Sequence, residues 1–203
     1  MNKKIIRDAL ILTAFTLILG LVLGFVNDIT HERIEEQDKQ KQMEAFREVF
    51  EDATDFVEYD YNKEDADKLV SDGGYSDSID DIRQAMDESG ETLGYVISVT
   101  AKDGSQGSIS FSVGIRMDGT VNGYKITKIA ETPGLGMKAE EEDFYSQFQN
   151  KQVEAFEVVK QEPASDNQIE AITGSTITSK AMANGCNAAI LYFQKELQGV
   201  AES

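Results

Sequence analysis

Apolar and polar positions change texture several times along this chain. Ala9 to Val26 reads ALILTAFTLILGLVLGFV, 18 residues without a charge. A run of that length and character is just long enough to cross hydrocarbon as a helix. Thr30 to Val49, THERIEEQDKQKQMEAFREV, is charged, with Ile34, Met43, Phe46 and Val49 as sparse apolar positions, and predicts a helical stalk. Residues 51–90 are acidic and poor in pattern, and they suggest short strands or turns with one short helix near Asp80 to Met86. From Thr92 the period becomes two. TLGYVISVTA, SISFSVGIRM and VNGYKITKIA alternate as strands, and MDGT between the last two is a hairpin turn signal, so 92–130 predicts an antiparallel meander. AEEEDFYSQFQN predicts a short helix and KQVEAFEVVK another strand. In SKAMANGCNAAILYFQKEL, Met182, Cys186, Ala189, Ile190, Phe193 and Leu197 share one helical face. Antiparallel strands with flanking helices give an α+β class. The organisation expected is a cytoplasmic N-terminus over 1–8, a membrane helix over 9–26, a stalk and acidic region over 27–90, and a folded domain over 91–198.

Charge sets the direction of the anchor. Lys3, Lys4 and Arg7 precede the apolar run, so the positive-inside rule puts the N-terminus in the cytoplasm and residues from about 27 onward across the membrane. No A-x-A-like cleavage site follows the run, which favours an uncleaved anchor over a signal peptide. Gly20 and Gly24, with Thr16 one step earlier, form a small-residue face that suits close approach of another membrane helix. The net charge is −18, with no basic stripe for nucleic acid.

A count of one cysteine and one histidine removes most metal and hydrolase chemistry. An iron–sulfur cluster held by this chain alone would need about four cysteines, and a closed zinc site fails in the same way. His31 falls at the base of the stalk, and Cys186 on the apolar face of the last helix reads as a buried residue rather than a reactive thiol. DxDxDG calcium spacing, a G-K-[ST] phosphate loop and a G-x-G-x-x-G dinucleotide loop are all missing. No metal site is expected.

Two stretches carry the remaining chemistry. ITGSTITSKAM, residues 172–182, crowds Thr173, Gly174, Ser175, Thr176, Thr178 and Ser179 at the foot of the last helix. Thr178 or Ser179 falls where an N-cap is expected, which explains one hydroxyl. The others stand where free N–H groups and the positive end of a helix suit an anion, with Gly174 admitting close approach. Phosphate binding and plain capping both remain open on spacing alone. ETPGLG, residues 131–136, contains one of the chain's two prolines. Pro133 and Gly134 suit a type II turn, and Gly136 allows another tight approach.

Together these stretches resemble the FMN-binding domain of the G subunit of the Rnf (Rsx) electron transport complex; the C subunit of the sodium-pumping NADH:quinone reductase is similar. In that family an [ST]GAT sequence carries FMN through a phosphoester on its last threonine, made by a flavin transferase with FAD as donor. TGST matches at Thr173, Gly174, Ser175 and Thr176, so the resemblance implies that Thr176 is the attachment residue. Thr178 matches a threonine usual two residues on. Ser175 stands where alanine is usual, and Glu170 where the transferase signature has aspartate. The resemblance places ETPGLG close to the flavin ring, which implicates Glu131, Thr132, Leu135 and Gly136, and it implicates Thr173, Thr178 and Ser179 around the phosphate. It implies an electron-relay component of an ion-translocating ferredoxin:NAD oxidoreductase, with other membrane subunits as partners. The alternatives are the quinone reductase C subunit, usually a longer chain, and a cofactor-free anchored binding domain.

Overall fold

The computed structural model describes residues 3–199, which divide into two compact units, one up to Lys41 and one from Gln42. Helix α1 runs unbroken over Lys3–Val49, so the apolar run and the stalk are one element. It is long and apolar enough to cross a membrane, and its apolar stretch is exposed throughout.

The second unit is built on a five-stranded antiparallel sheet in the order β1 (Asp55–Glu58), β2 (Ser78–Met86), β3 (Thr92–Ala101), β4 (Ile109–Arg116), β5 (Val121–Lys128). Every strand pairs with its neighbour in sequence, and the expected meander is its second half. The MDGT turn closes as expected: Gly119 takes φ 85° and the Thr120 carbonyl accepts the Arg116 N–H at 2.8 Å. The acidic stretch supplies β1, β2 and helix α2 (Lys63–Asp72), whose first turn is capped by Asn62 Oδ1 accepting from the Glu64 and Asp65 N–H groups.

The helix expected near Asp80–Met86 is instead strand β2. A register shift between Ile79 and Asp81 explains the misleading pattern. A bulge turns one residue out of the alternation, so Ile79 and Ile82 share one face at a spacing of three, while Ala85 is buried on the other face. Of the strand expected over 151–160, only β6 (Glu157–Val159) forms, paired in parallel with β7 (Gln168–Glu170) outside the main sheet. The short helix expected over 139–150 is α3 (Glu142–Tyr145) flanked by two 3-10 turns, Gly136–Glu140 and Ser146–Phe148.

The last helix, α4, covers Thr176–Tyr192 and widens into a π turn over Phe193–Leu197. The six face residues expected to be buried are all buried, and they pack with Val99, Phe111 and Ile97 of the sheet. Gly185 lets the helix sit close, since a Cβ there would come within 2.5 Å of the Phe111 ring. The other face of the sheet is covered by the C-terminal end of α1: Phe46, Val49 and Phe50 pack with Ala85 and Val96. Gly94 and Gly114 make the slot, because a Cβ on Gly94 would meet Phe50 Cζ at 2.7 Å and one on Gly114 the Val49 carbonyl at 2.8 Å. With both faces covered, the central strands are buried almost throughout.

Candidate functional site

The chain leaves β5 and turns at residues 131–136. Glu131 is 5% exposed, and its Oε1 accepts the N–H groups of Ser105 at 2.6 Å and Gln106 at 3.3 Å. A buried carboxylate is costly unless its lone pairs are filled, and this one ties the β3–β4 loop to the turn. Pro133 and Gly134 occupy the middle of the turn; Gly134 has φ 75° and the Thr132 carbonyl accepts the Leu135 N–H at 3.1 Å, as a type II turn requires. Gly136 is wedged: a Cβ there would stand 2.6 Å from Glu131 Oε2 and 2.9 Å from Thr178 Oγ1.

The second loop follows β7 and repeats the device. Gly174 has φ 81°, and the Ile172 carbonyl accepts the Ser175 N–H at 2.9 Å. Ser175, rather than Thr178 or Ser179, is the N-cap residue, so α4 begins at Thr176 and not at Ser179. Packing against the loop moves the start: the Ser179 hydroxyl donates to the Ser175 carbonyl at 3.0 Å and accepts the Ile172 N–H at 2.9 Å. Ser175 and Thr178 hydroxyls bond to each other at 2.8 Å. Ser175, Thr178 and Ser179 are all buried, so their hydroxyls brace the loop from inside. The Ser175 side chain caps no backbone N–H, which leaves the first N–H groups of α4 without a side-chain partner.

The two loops lie against each other. Leu135 reaches over Gly174, whose Cβ position is 3.2 Å from Leu135 Cδ2, and Gly136 abuts Thr178. On the outer side the loops present Thr173, Leu135 and Ile177, exposed, with Thr176 half-exposed. Among the described residues the Thr176 hydroxyl has no hydrogen-bond partner. Leu135 and Ile177, at 43% and 60% exposure, add apolar surface to the same two loops. Thr132 lies exposed on the turn.

Beside Thr173 a groove of about 300 Å³ runs between Lys138, Phe144, Gln147 and Glu170. Gln147 holds the backbone there on both sides, accepting the Glu170 N–H at 2.7 Å and donating to its carbonyl at 3.4 Å. Sequence reasoning missed Ile177, Gln147, Lys138 and the 105–106 loop. An isoleucine set in a run of hydroxyl residues was the one signal on offer. Among the described residues there is no group of three His, Cys, Asp or Glu placed to hold a metal ion.

Helix-end N–H groups, a glycine turn and an outward hydroxyl suit a phosphate, and the exposed leucine and isoleucine suit a flat aromatic ring. The residues present therefore fit a flavin mononucleotide. Known proteins agree. Residues 104–191 match the family model of the FMN-binding domain, and residues 1–49 that of the RnfG N-terminal region. The G subunit of the Na(+)-translocating ferredoxin:NAD(+) oxidoreductase complex of Acetobacterium woodii is 33% identical over 195 residues, 95% of this chain and 93% of its own length. The G subunit of the proton-translocating ferredoxin:NAD(+) oxidoreductase complex of Clostridium ljungdahlii is 31% identical over 179 residues, 88% of this chain and 86% of its own. In fold, the crystal structure of the C subunit of Na(+)-translocating NADH-quinone reductase from Parabacteroides distasonis superposes with a TM-score of 0.52 at 16% identity, over 83% of this chain and 98% of that one.

Proposed function

This chain belongs to the family of G subunits of the Rnf ferredoxin:NAD(+) oxidoreductase complexes, and from that premise we propose that it relays electrons through an FMN esterified to Thr176. It is a membrane-anchored flavoprotein that works among the other membrane subunits of an ion-translocating complex. The observation that carries the attachment residue is the sorting of hydroxyls: Ser175, Thr178 and Ser179 are buried and bonded within the loop, while Thr176 stands half-exposed and unbonded on the first turn of α4. Thr173 is exposed too, but it precedes the helix and its free N–H groups.

Bound flavin supplies the capacity to exchange one or two electrons between carriers. The first turn of α4 favours the remaining negative charge of a phosphodiester by about 0.3–1 kcal/mol. Leu135 and Ile177 offer apolar contact to a ring on the outer side, and Glu131, by holding the 105–106 loop, fixes the turn that carries Leu135. Thr173 is within the same exposed rim and suits a phosphate oxygen. Thr178 and Ser179 act from beneath, by holding Ser175 and Ile172 in place.

Among the described residues no base is hydrogen-bonded to the Thr176 hydroxyl, which is consistent with maturation by a separate flavin transferase. With FAD as donor, the Thr176 oxygen bonds to the flavin-side phosphorus, the pyrophosphate P–O bond breaks, AMP departs and the hydroxyl proton passes to a base on the transferase. Glu170, exposed and with its backbone clamped by Gln147, lies at the approach to the loop. The full chain coexpressed with a flavin transferase is expected to fluoresce as a flavin band on a denaturing gel. Thr176→Val is expected to abolish the band and Thr173→Val to keep it; a Thr176→Val protein that stays fluorescent overturns the assignment. The basic residues Lys3, Lys4 and Arg7 support a cytoplasmic N-terminus with the flavin domain on the opposite side.

A further inference from the structure

At the other end of α4 from Thr176 lies a cavity of about 370 Å³, walled by Tyr59, Tyr61 and Tyr192 and rimmed by Asp60, Asp65 and Glu196. The Tyr61 and Tyr192 rings meet edge to face at 6.3 Å, and Tyr61 donates its hydroxyl to the Ile79 carbonyl at 3.3 Å. Tyr192 is 5% exposed as a residue and lines the cavity, and its hydroxyl has no hydrogen-bond partner among the described residues and stays open to solvent. Burial and the nearby Glu196, Tyr59 and Asp65 push the pKa of that hydroxyl up to about 12. Burial, then Tyr95 and Glu196, raise Tyr59 in the same direction.

Among the described residues, Asp60, Asp65 and Glu196 form no salt bridge, and no lysine or arginine lines the cavity. Glu196 owes its place to the π turn over Phe193–Leu197, which begins directly after Tyr192 and closes with the Gln198 N–H on the Phe193 carbonyl at 2.9 Å. π turns occur at helix C-termini, and this one sets Glu196 on the rim of the cavity.

We propose that this cavity is the docking point for an arginine-led basic segment of another protein of the complex, a step that rests on the family reading above. Ring faces attract a cation, the planar guanidinium stacks on them, and its fork meets carboxylates and a phenol oxygen at once. The charge complements a chain of net −18. The cavity is larger than one guanidinium, so flanking residues enter with it. Thr176 and Tyr192 are 16 residues apart on α4, about 24 Å along its axis, so a partner seated here leaves the Thr176 end open for electron exchange.

The test uses the full chain in detergent, with tyrosine rings labelled for NMR and the peptide acetyl-Gly-Arg-Gly-Arg-amide as probe. Its citrulline analogue, neutral and of the same shape, is the control. The arginine peptide is expected to shift Tyr59, Tyr61 and Tyr192 signals saturably, and the citrulline peptide not to. Glu196→Gln and Tyr192→Phe are each expected to weaken binding by about fivefold. In cells, the triple change Asp60→Asn, Asp65→Asn, Glu196→Gln is expected to reduce co-purification of the other subunits while covalent flavin content stays at the parent level. Equal binding of both peptides, no shift with either, or saturation by spermidine alone overturns the proposal, as does full co-purification with the triple variant. A parent protein lacking flavin counts against the proposed function instead, and leaves the peptide result to stand on its own.

Discussion

Gly136 is the residue at which the two site loops touch, because only hydrogen fits between the Glu131 carboxylate and the Thr178 hydroxyl. Gly136→Ala is expected to lower stability by about 1–3 kcal/mol, as overpacking does, and to lower flavin incorporation with it; thermal unfolding and the flavin-to-protein absorbance ratio measure both. A second buried group, Asp77, behaves in the opposite way. It is 3% exposed, its Oδ2 has no partner, and burial pushes its carboxyl up to about 6 despite the Lys102 N–H on its other oxygen. A carboxyl raised in the folded state contributes stability below its unfolded value near 3.8, and that contribution is lost as pH rises through about 6. Asp77→Asn is therefore expected to raise stability at pH 8 relative to the parent by an amount on the order of 2 kcal/mol, read as a higher Tm, with the gain vanishing toward pH 4. At this scale the sequence singled out TGST and ETPGLG, which the fold brings side by side, but not which way each residue faces. A run of hydroxyls beside one glycine carries no periodicity, and the outward position of Thr176 depends on Ser179 reaching back to Ile172 and Ser175.

Elements were legible where one period dominated between clear turn signals. β3, β4, β5 and the buried face of α4 follow the alternation and the helical spacing closely. β2 was hidden by its bulge, which converts a period of two into an apparent period of three. α2 was hidden by its charge, since only Ala66 and Val70 are buried in its ten residues. The role of the α1 end was equally concealed: Phe46 and Val49 look like sparse stalk residues until they are seen packed on the sheet with Phe50, in a slot that Gly94 and Gly114 open. Phe50 is fully buried, so Phe50→Ala is expected to cost about 3–5 kcal/mol, read as a shift of the denaturant midpoint, and to leave any flavin still attached. Unchanged stability would mean that the end of α1 does not cover the sheet.

For the molecule as a whole, the decisive sequence features were an apolar helix behind three basic residues and a single cysteine. Cys186 is fully buried, and burial pushes its thiol well above the ordinary value, so it is a silent background for topology labelling. Glu91→Cys, on the exposed β2–β3 turn, is expected to react with a membrane-impermeant maleimide in intact cells whose outer barrier has been opened, with the parent unlabelled. Labelling only after the inner membrane is lysed would reverse the proposed orientation. The α+β class was within reach of the sequence through its strand alternation and last helix, and FMN through the family resemblance that TGST and ETPGLG carry. The tyrosine cavity was not, since its walls come from residues 59–61 and 192–196, which only the fold brings together.

The central claim is one covalent bond, and peptide mass spectrometry of the full chain matured in its own cell tests it most directly. The account predicts a peptide spanning residues 172–180 heavier by one FMN less one water, with the fragment series placing the added mass on Thr176. A bare peptide at full occupancy, or an adduct mapped to any other hydroxyl in the stretch, would contradict it.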